Sequence, residues 1–137
     1  MSEEMSPIAH SDGDVIFHAV VDALLGAIGE GDIGEHFADT DPRWKEAASE
    51  VFVKGAHELV HAAGYVVANV DVTLLAERPK VKRFKPAMVA SLRALLGGDG
   101  VGVNVKAGTN EGCDAIGRGE AIASHAVVLL QRFAPAV

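Results

Sequence analysis

Between residues 15 and 28 nearly every position is apolar, and the exceptions are His18, Asp22 and Gly26. A run of this length predicts a buried helix over 14–29, with Asp12 as its N-cap. The segment 31–42 (GDIGEHFADTDP) carries two glycines, four carboxylates and a terminal proline, and reads as a loop. Over 46–63 the pattern is helical again: Phe52, Ala56, Leu59, Val60 and Ala63 share a face, and Gly64 is the stop signal. Strict alternation follows over 66–76, with Val66, Ala68, Val70, Val72 and Leu74 on one side. Val67, Asn69, Asp71, Thr73 and Leu75 occupy the other, the signature of a strand. A basic loop is expected over 77–85. Pro86 suits the first turn of a helix running to Leu96, with Met88, Leu92 and Leu95 inward. Val101, Val103, Val105 and Ala107 alternate as a second strand, 108–119 reads as a Gly-rich loop, and 120–133 as a last helix.

Two strands joined by a helix imply a parallel or mixed α/β layer. The fold class expected is a single α/β domain over 1–137, a small mixed sheet covered by helices on one face. Two strands alone do not make a stable sheet. A third comes from 5–9, or strands are missing, or a partner chain completes the layer. Residues 1–9 otherwise read as loose.

Composition narrows this picture. At 137 residues, 49% apolar and 23% charged, the chain is long enough for one cored domain and is not of disordered type. A net charge of −7 argues against a general nucleic-acid or membrane-surface binder. The lone Cys113 makes no internal disulfide, and with no apolar run of membrane-spanning length and an acidic start the expected location is the cytoplasm. Ala and Val dominate the apolar residues and aromatics are 5%, so the core is thin and oligomerisation is expected.

The chemistry concentrates at the start of the first helix. Asp14, His18 and Asp22 are spaced i, i+4, i+8, one polar stripe on an apolar helix. Ionisable groups in such a place need partners or a metal. Asp12 and Asp14 also suit a helix N-terminus on electrostatic grounds, and His18 a satisfied histidine in the core.

Four runs taken together resemble the 2-C-methyl-D-erythritol 2,4-cyclodiphosphate synthase family: AHSDGDVIFHAVVDALLGAIGEGDIGEHFADTDP (9–42), GYVVANVDVTLLAERPKV (64–81), VNVKAGTNEG (103–112) and GRGEAIA (117–123). The resemblance implies a homotrimer with active sites between subunits. It implies conversion of the CDP derivative of methylerythritol 2-phosphate into the cyclic diphosphate, with release of CMP. It also implies divalent metals: a zinc, and a second ion, magnesium or manganese, at the phosphates.

By the same resemblance His18 matches a zinc-ligating histidine and Glu111 the carboxylate ligand of the second metal. Asp22, one turn beyond His18, suits a carboxylate that orients that imidazole. His10 and Ser11 match the loop meeting the phosphates, and Thr109 a phosphate-binding threonine beside Asn110. Asp32 and Gly34 match the loop holding the erythritol hydroxyls, with Phe37 and Asp39 in the same wall. Ala76, Pro79 and Lys80 match the cytidine pocket, and Arg118 and Glu120 line the trimer axis. On residue chemistry alone, Lys80, Lys82, Arg83 and Lys85 also read as a solvated basic loop, Glu111 and Arg118 as a loop ion pair, and Asp39, Asp41 and Pro42 as a turn.

The chain departs from the family pattern in two places. No Asp-x-His, the source of two zinc ligands and of an N-terminal strand, precedes His10. Gly108-Thr109-Asn110 stands where threonines are usual, and Asp114-Ala115-Ile116 where Gly, a bulky apolar residue and Thr are usual. The expectation is a working synthase with its N-terminal segment absent. The alternatives are an impaired homologue that binds cytidine nucleotide and a trimeric scaffold.

Overall fold

The computed structural model describes residues 7–38, 48–76, 81–108, 111, 113–117 and 122–133. The elements run α1 (Pro7–Ala27), α2 (Ile33–His36), α3 (Ser49–Ala62), β1 (Tyr65–Leu75), α4 (Val81–Leu96), β2 (Gly102–Gly108), α5 (Asp114–Gly117) and β3 (Ala123–Arg132). The sheet order is β2-β1-β3. β2 runs parallel to β1, as a strand–helix–strand unit requires. β3 is antiparallel, from Tyr65 opposite Arg132 to Leu75 opposite Ala123.

β3 corrects the expected last helix over 120–133. Its Ala, Leu, Gln and Arg favour a helix, but the free edge of β1 offers a long row of hydrogen-bonding groups. Pairing there also lets Ala126, Val128 and Leu130 pack on the core on alternate positions. This strand is the third member of the sheet; of the segment 5–9 expected in that role, residues 7–9 are helical within Pro7–Ala27, and 5–6 lie outside the described residues.

α1 therefore begins earlier than expected, with proline at its first position, where the missing N–H costs nothing. Asp12 lies inside the helix and does not cap it. Gly13 is buried because α4 crosses there: a Cβ on Gly13 would stand 3.1 Å from Met88 Cε. α4 also begins earlier, at Val81, so 81–85 are helical and Pro86 is interior. Phe84, 7% exposed, packs into the core one turn before Met88 and favours that extra turn.

β1 shows one further departure. A bulge between Val67 and Asn69 makes Ala68 the extra residue. Val67 therefore joins Val70, Val72 and Leu74 in the core, in place of Val66 and Ala68.

All the long helices lie on one face of the sheet. α1 packs over β3, α4 over β2, and α3 bridges α1 and α4 while reaching β1. The core between them holds Ile16, Phe17, Val20, Val21, Leu24 and Leu25 of α1 against Val53, Ala56 and Val60 of α3 and Leu92 and Leu96 of α4. Gly64, at φ +97, ends α3 and turns the chain into β1, as the sequence predicts. Gly97 and Gly98, also at positive φ, do the same between α4 and β2.

Candidate functional site

α1 buries one side and leaves the Asp14/His18/Asp22 stripe exposed on the other. Each stripe residue ties α1 to a neighbouring element. The Ser49 hydroxyl, at the buried start of α3, donates to Asp14 Oδ1 at 2.8 Å. The His18 ring meets the Phe52 ring edge-on, centroids 6.2 Å apart at 64°. Asp22 Oδ1 accepts from the Ile33 amide at 2.9 Å.

The loop between α1 and α3 closes over this corner. Asp32 caps α2, its Oδ1 accepting from the Glu35 amide at 3.0 Å. Gly31 stands at φ +83, and a Cβ there would collide with the Glu35 carboxylate at 2.6 Å. His36 Nε2 is hydrogen-bonded to the Glu30 carbonyl. Phe37 then packs on Phe52 with centroids 5.4 Å apart. That contact needs a glycine on α3, because a Cβ on Gly55 would stand 2.9 Å from Phe37 Cζ.

The structure thus gathers His18, Asp22, Asp32, Gly34 and Phe37 in one corner of α1, α2 and α3. Asp22 is engaged with the loop backbone at Ile33, the residue between Asp32 and Gly34. Sequence reasoning missed Ser49, Phe52 and Gly55, the α3 residues that hold this corner. Phe52 was legible as a core residue, but nothing local in the sequence signals which loop packs on Gly55.

A second group gathers at one end of the sheet. β1 and β2 are parallel, so their C-terminal ends coincide, with Leu75 opposite Gly108. The Ala76 amide donates to the Gly108 carbonyl at 3.0 Å. Ala123, the start of β3, pairs with Leu75 at the same end. Crevices outside the carboxyl ends of parallel strands are where α/β sheets bind ligands. Glu111 follows β2 with a left-handed backbone, φ 53, and its carbonyl accepts from the Cys113 thiol.

Asp39, Pro79, Lys80, Thr109, Asn110 and Arg118 lie outside the described residues. The backbones of His10 and Ser11 are within α1, so these two continue the helix and are not on a loop. Among the described residues, no three of His, Cys, Asp and Glu come together as a metal site. His18 offers a single imidazole, so the described donor set does not fit a tetrahedral zinc.

A family model, the YgbB family, matches residues 1–131. The chain belongs to this family. It is 50% identical over 127 residues to the 2-C-methyl-D-erythritol 2,4-cyclodiphosphate synthase of Halalkalibacterium halodurans, covering 93% of this chain and 81% of that protein. It is 52% identical over 124 residues to the chloroplastic enzyme of the same name from Oryza sativa subsp. japonica, covering 90% of this chain and 56% of that one. The chain thus spans little more than half the length of the rice protein. Among solved structures, a CDP complex of IspF from Plasmodium falciparum matches with a TM-score of 0.74 at 30% identity, covering 86% of this chain and 70% of that one. The resemblance read from the sequence and the small helix-covered α/β sheet are therefore both upheld. No described helix of this family member is long and apolar enough to cross a membrane.

Proposed function

We propose that the chain carries out the cyclodiphosphate synthase reaction of its relatives as a homotrimer in the cytoplasm. The substrate is 4-CDP-2-C-methyl-D-erythritol 2-phosphate. An oxygen of the 2-phosphate attacks the β-phosphorus, and the bond from that phosphorus to the bridging α-phosphate oxygen breaks. CMP leaves with the electron pair, and the 2,4-cyclic diphosphate remains. The reaction is intramolecular and needs no protein nucleophile. Holding attacking oxygen and phosphorus in line supplies much of the acceleration, on the order of 7–11 kcal/mol for well-oriented groups.

The observation that carries this reading is the conjunction of two preformed elements. One is the corner where Asp22 holds the Ile33 amide, which sets the Asp32–Gly34 loop. The other is the shared strand end where Ala76 is bonded to Gly108. We assign Asp32 and Gly34 to the erythritol hydroxyls, with Phe37 and Asp39 as the wall. We assign Ala76, Pro79 and Lys80 to the cytidine. Thr109, Asn110, His10 and Ser11 are assigned to the phosphate oxygens, where donors offset the charge gathering on the leaving group. We assign Arg118 to the lining of the trimer axis. Asp22 is the positioning residue of the hydroxyl loop. His18 and Glu111 are each a single potential donor to a divalent ion.

Trimer formation is supported by the helix-free sheet face, where Val127 is 70% and Leu129 59% exposed. The test is direct. Purified chain incubated with the substrate should release CMP and the cyclic diphosphate in equal amounts, and Asp32→Asn should lower the rate at least about 100-fold. Cytidine nucleotide bound in preference to uridine nucleotide, with no turnover, would favour the nucleotide-binding homologue. That second reading draws support from the single imidazole in the described donor set.

A further inference from the structure

The C-terminal half of α3 carries His57-Glu58-Leu59-Val60-His61. His57 and His61 lie about 7.5 and 13.5 Å along the helix axis from Phe52, at 1.5 Å per residue, and roughly 140° and 180° around it at 3.6 residues per turn, on the side away from the His18 corner. We propose that His57 and His61 chelate a late first-row transition cation, of the class of zinc, nickel or copper(II), at a site separate from the catalytic corner.

The first ground is helical geometry. α3 is continuous from Ser49 to Ala62, so residues four apart sit one above the other on the same face. Their Cβ atoms are then about 5–6 Å apart, and two imidazole nitrogens can meet one ion at bonds of about 2.0–2.1 Å. Val53, Ala56 and Val60 hold the flank of α3 beside His57 in the core, which fixes the helix about its axis and keeps His61 outward. His57 is half-buried and His61 exposed, which leaves the pair open to an ion from solvent.

The second ground is ring placement. His61 packs on Phe133, centroids 5.1 Å apart at 34°, and Phe133 is held by its amide donating to the Gly64 carbonyl at 3.1 Å. One of the two ligands is thus restrained before metal arrives.

The sequence has the H-E-x-x-H pattern that holds zinc on hydrolase helices. No third protein donor joins the pair among the described residues, so water completes the coordination shell. The inference is accordingly one of metal capture without hydrolysis. It predicts affinity weaker than that of a site with three protein ligands, with copper(II) bound most tightly of the three ions. It does not depend on the synthase reading.

The test uses tag-free protein carrying His18→Ala, so that the corner imidazole contributes nothing. Calorimetric titration with nickel(II) or copper(II) should show one ion per chain. His57→Gln or His61→Gln in that background should weaken binding at least roughly tenfold. Excess nickel should raise Tm in the His18→Ala parent and leave both Gln variants unmoved, with circular dichroism checking that each remains folded. A parent that binds no ion overturns the inference. So do Gln variants that bind as the parent does.

Discussion

The two faces of the sheet are built from the same three strands by the same alternation, and they differ in what covers them. On one face Val70, Val72 and Leu74 of β1 lie beneath the helices at 0–1% exposure. On the other, Asp71, Thr73, Asn104, Lys106, His125, Val127 and Leu129 face away from every long helix. That open face is divided. Toward β2 it is polar and internally paired: Asp71 accepts from Lys106 Nζ at 2.8 Å and from Asn104 Nδ2 at 3.0 Å. Toward β3 it is apolar and uncovered. Contiguous exposed apolar side chains of this kind make that half of the face a candidate contact surface. The covered face makes this chain fold, and the open face is assigned to assembly.

The sharpest way to break the comparison is to charge the apolar half of the open face. Val127→Lys with Leu129→Lys should convert a trimer into monomers by light scattering, with far-ultraviolet circular dichroism unchanged and synthase turnover lost. An unchanged mass would mean that this half of the face is not the contact. The covered face should respond in the opposite sense. Leu24→Ala removes a fully buried side chain of α1 and should cost about 3 kcal/mol in urea unfolding of the chain.

A smaller effect is expected at the corner. Gly55→Ala places a Cβ against Phe37 Cζ, so Phe37 must shift. Stability should fall by about 1–2 kcal/mol, and substrate KM should rise more than kcat falls, because the loop wall moves while Asp32 remains. The smallest effect concerns Asp71. The Lys106 hydrogen bond first, and then that of Asn104, hold its carboxyl below the usual value near 3.8. Its folded pKa lies below the unfolded one. Its contribution to stability is therefore present above about pH 3.8 and is lost as pH falls through the lowered folded value. Asp71→Asn should flatten only that acid limb of the stability–pH curve. Asp71 is partly exposed at the surface, where solvent screens the pair, so the change should be slight.

Local pattern sufficed wherever one residue type decides the backbone or one face is strongly apolar. Gly64 ends α3 because its φ of +97 suits glycine. The apolar positions of α1 and α3 became the core with 3.6-residue spacing, and β2 and the part of β1 from Val70 onward alternate as read. The H-S-D-G-D-V-x-x-H and G-D-I-G motifs named the family from residue identity alone. Of the candidate site, His18, Asp22, Asp32, Gly34 and Phe37 were legible in this way before any contact was known.

Tertiary structure decided the rest, for reasons no window of sequence contains. β3 reads as a helix from its own composition; it is a strand because β1 has an edge to fill. The bulge at Ala68 turns Val67 inward, a shift of register that depends on the partner strand. Asp22 holds the Ile33 amide, and Gly55 admits Phe37, because a loop closes across two helices eleven and eighteen residues away in sequence. The sequence by itself determined which residues are apolar, which can turn and which carry chemistry. Contacts between segments far apart in the chain decided which faces are covered and which side chains meet, since burial and long-range hydrogen bonds exist only once the chain has folded.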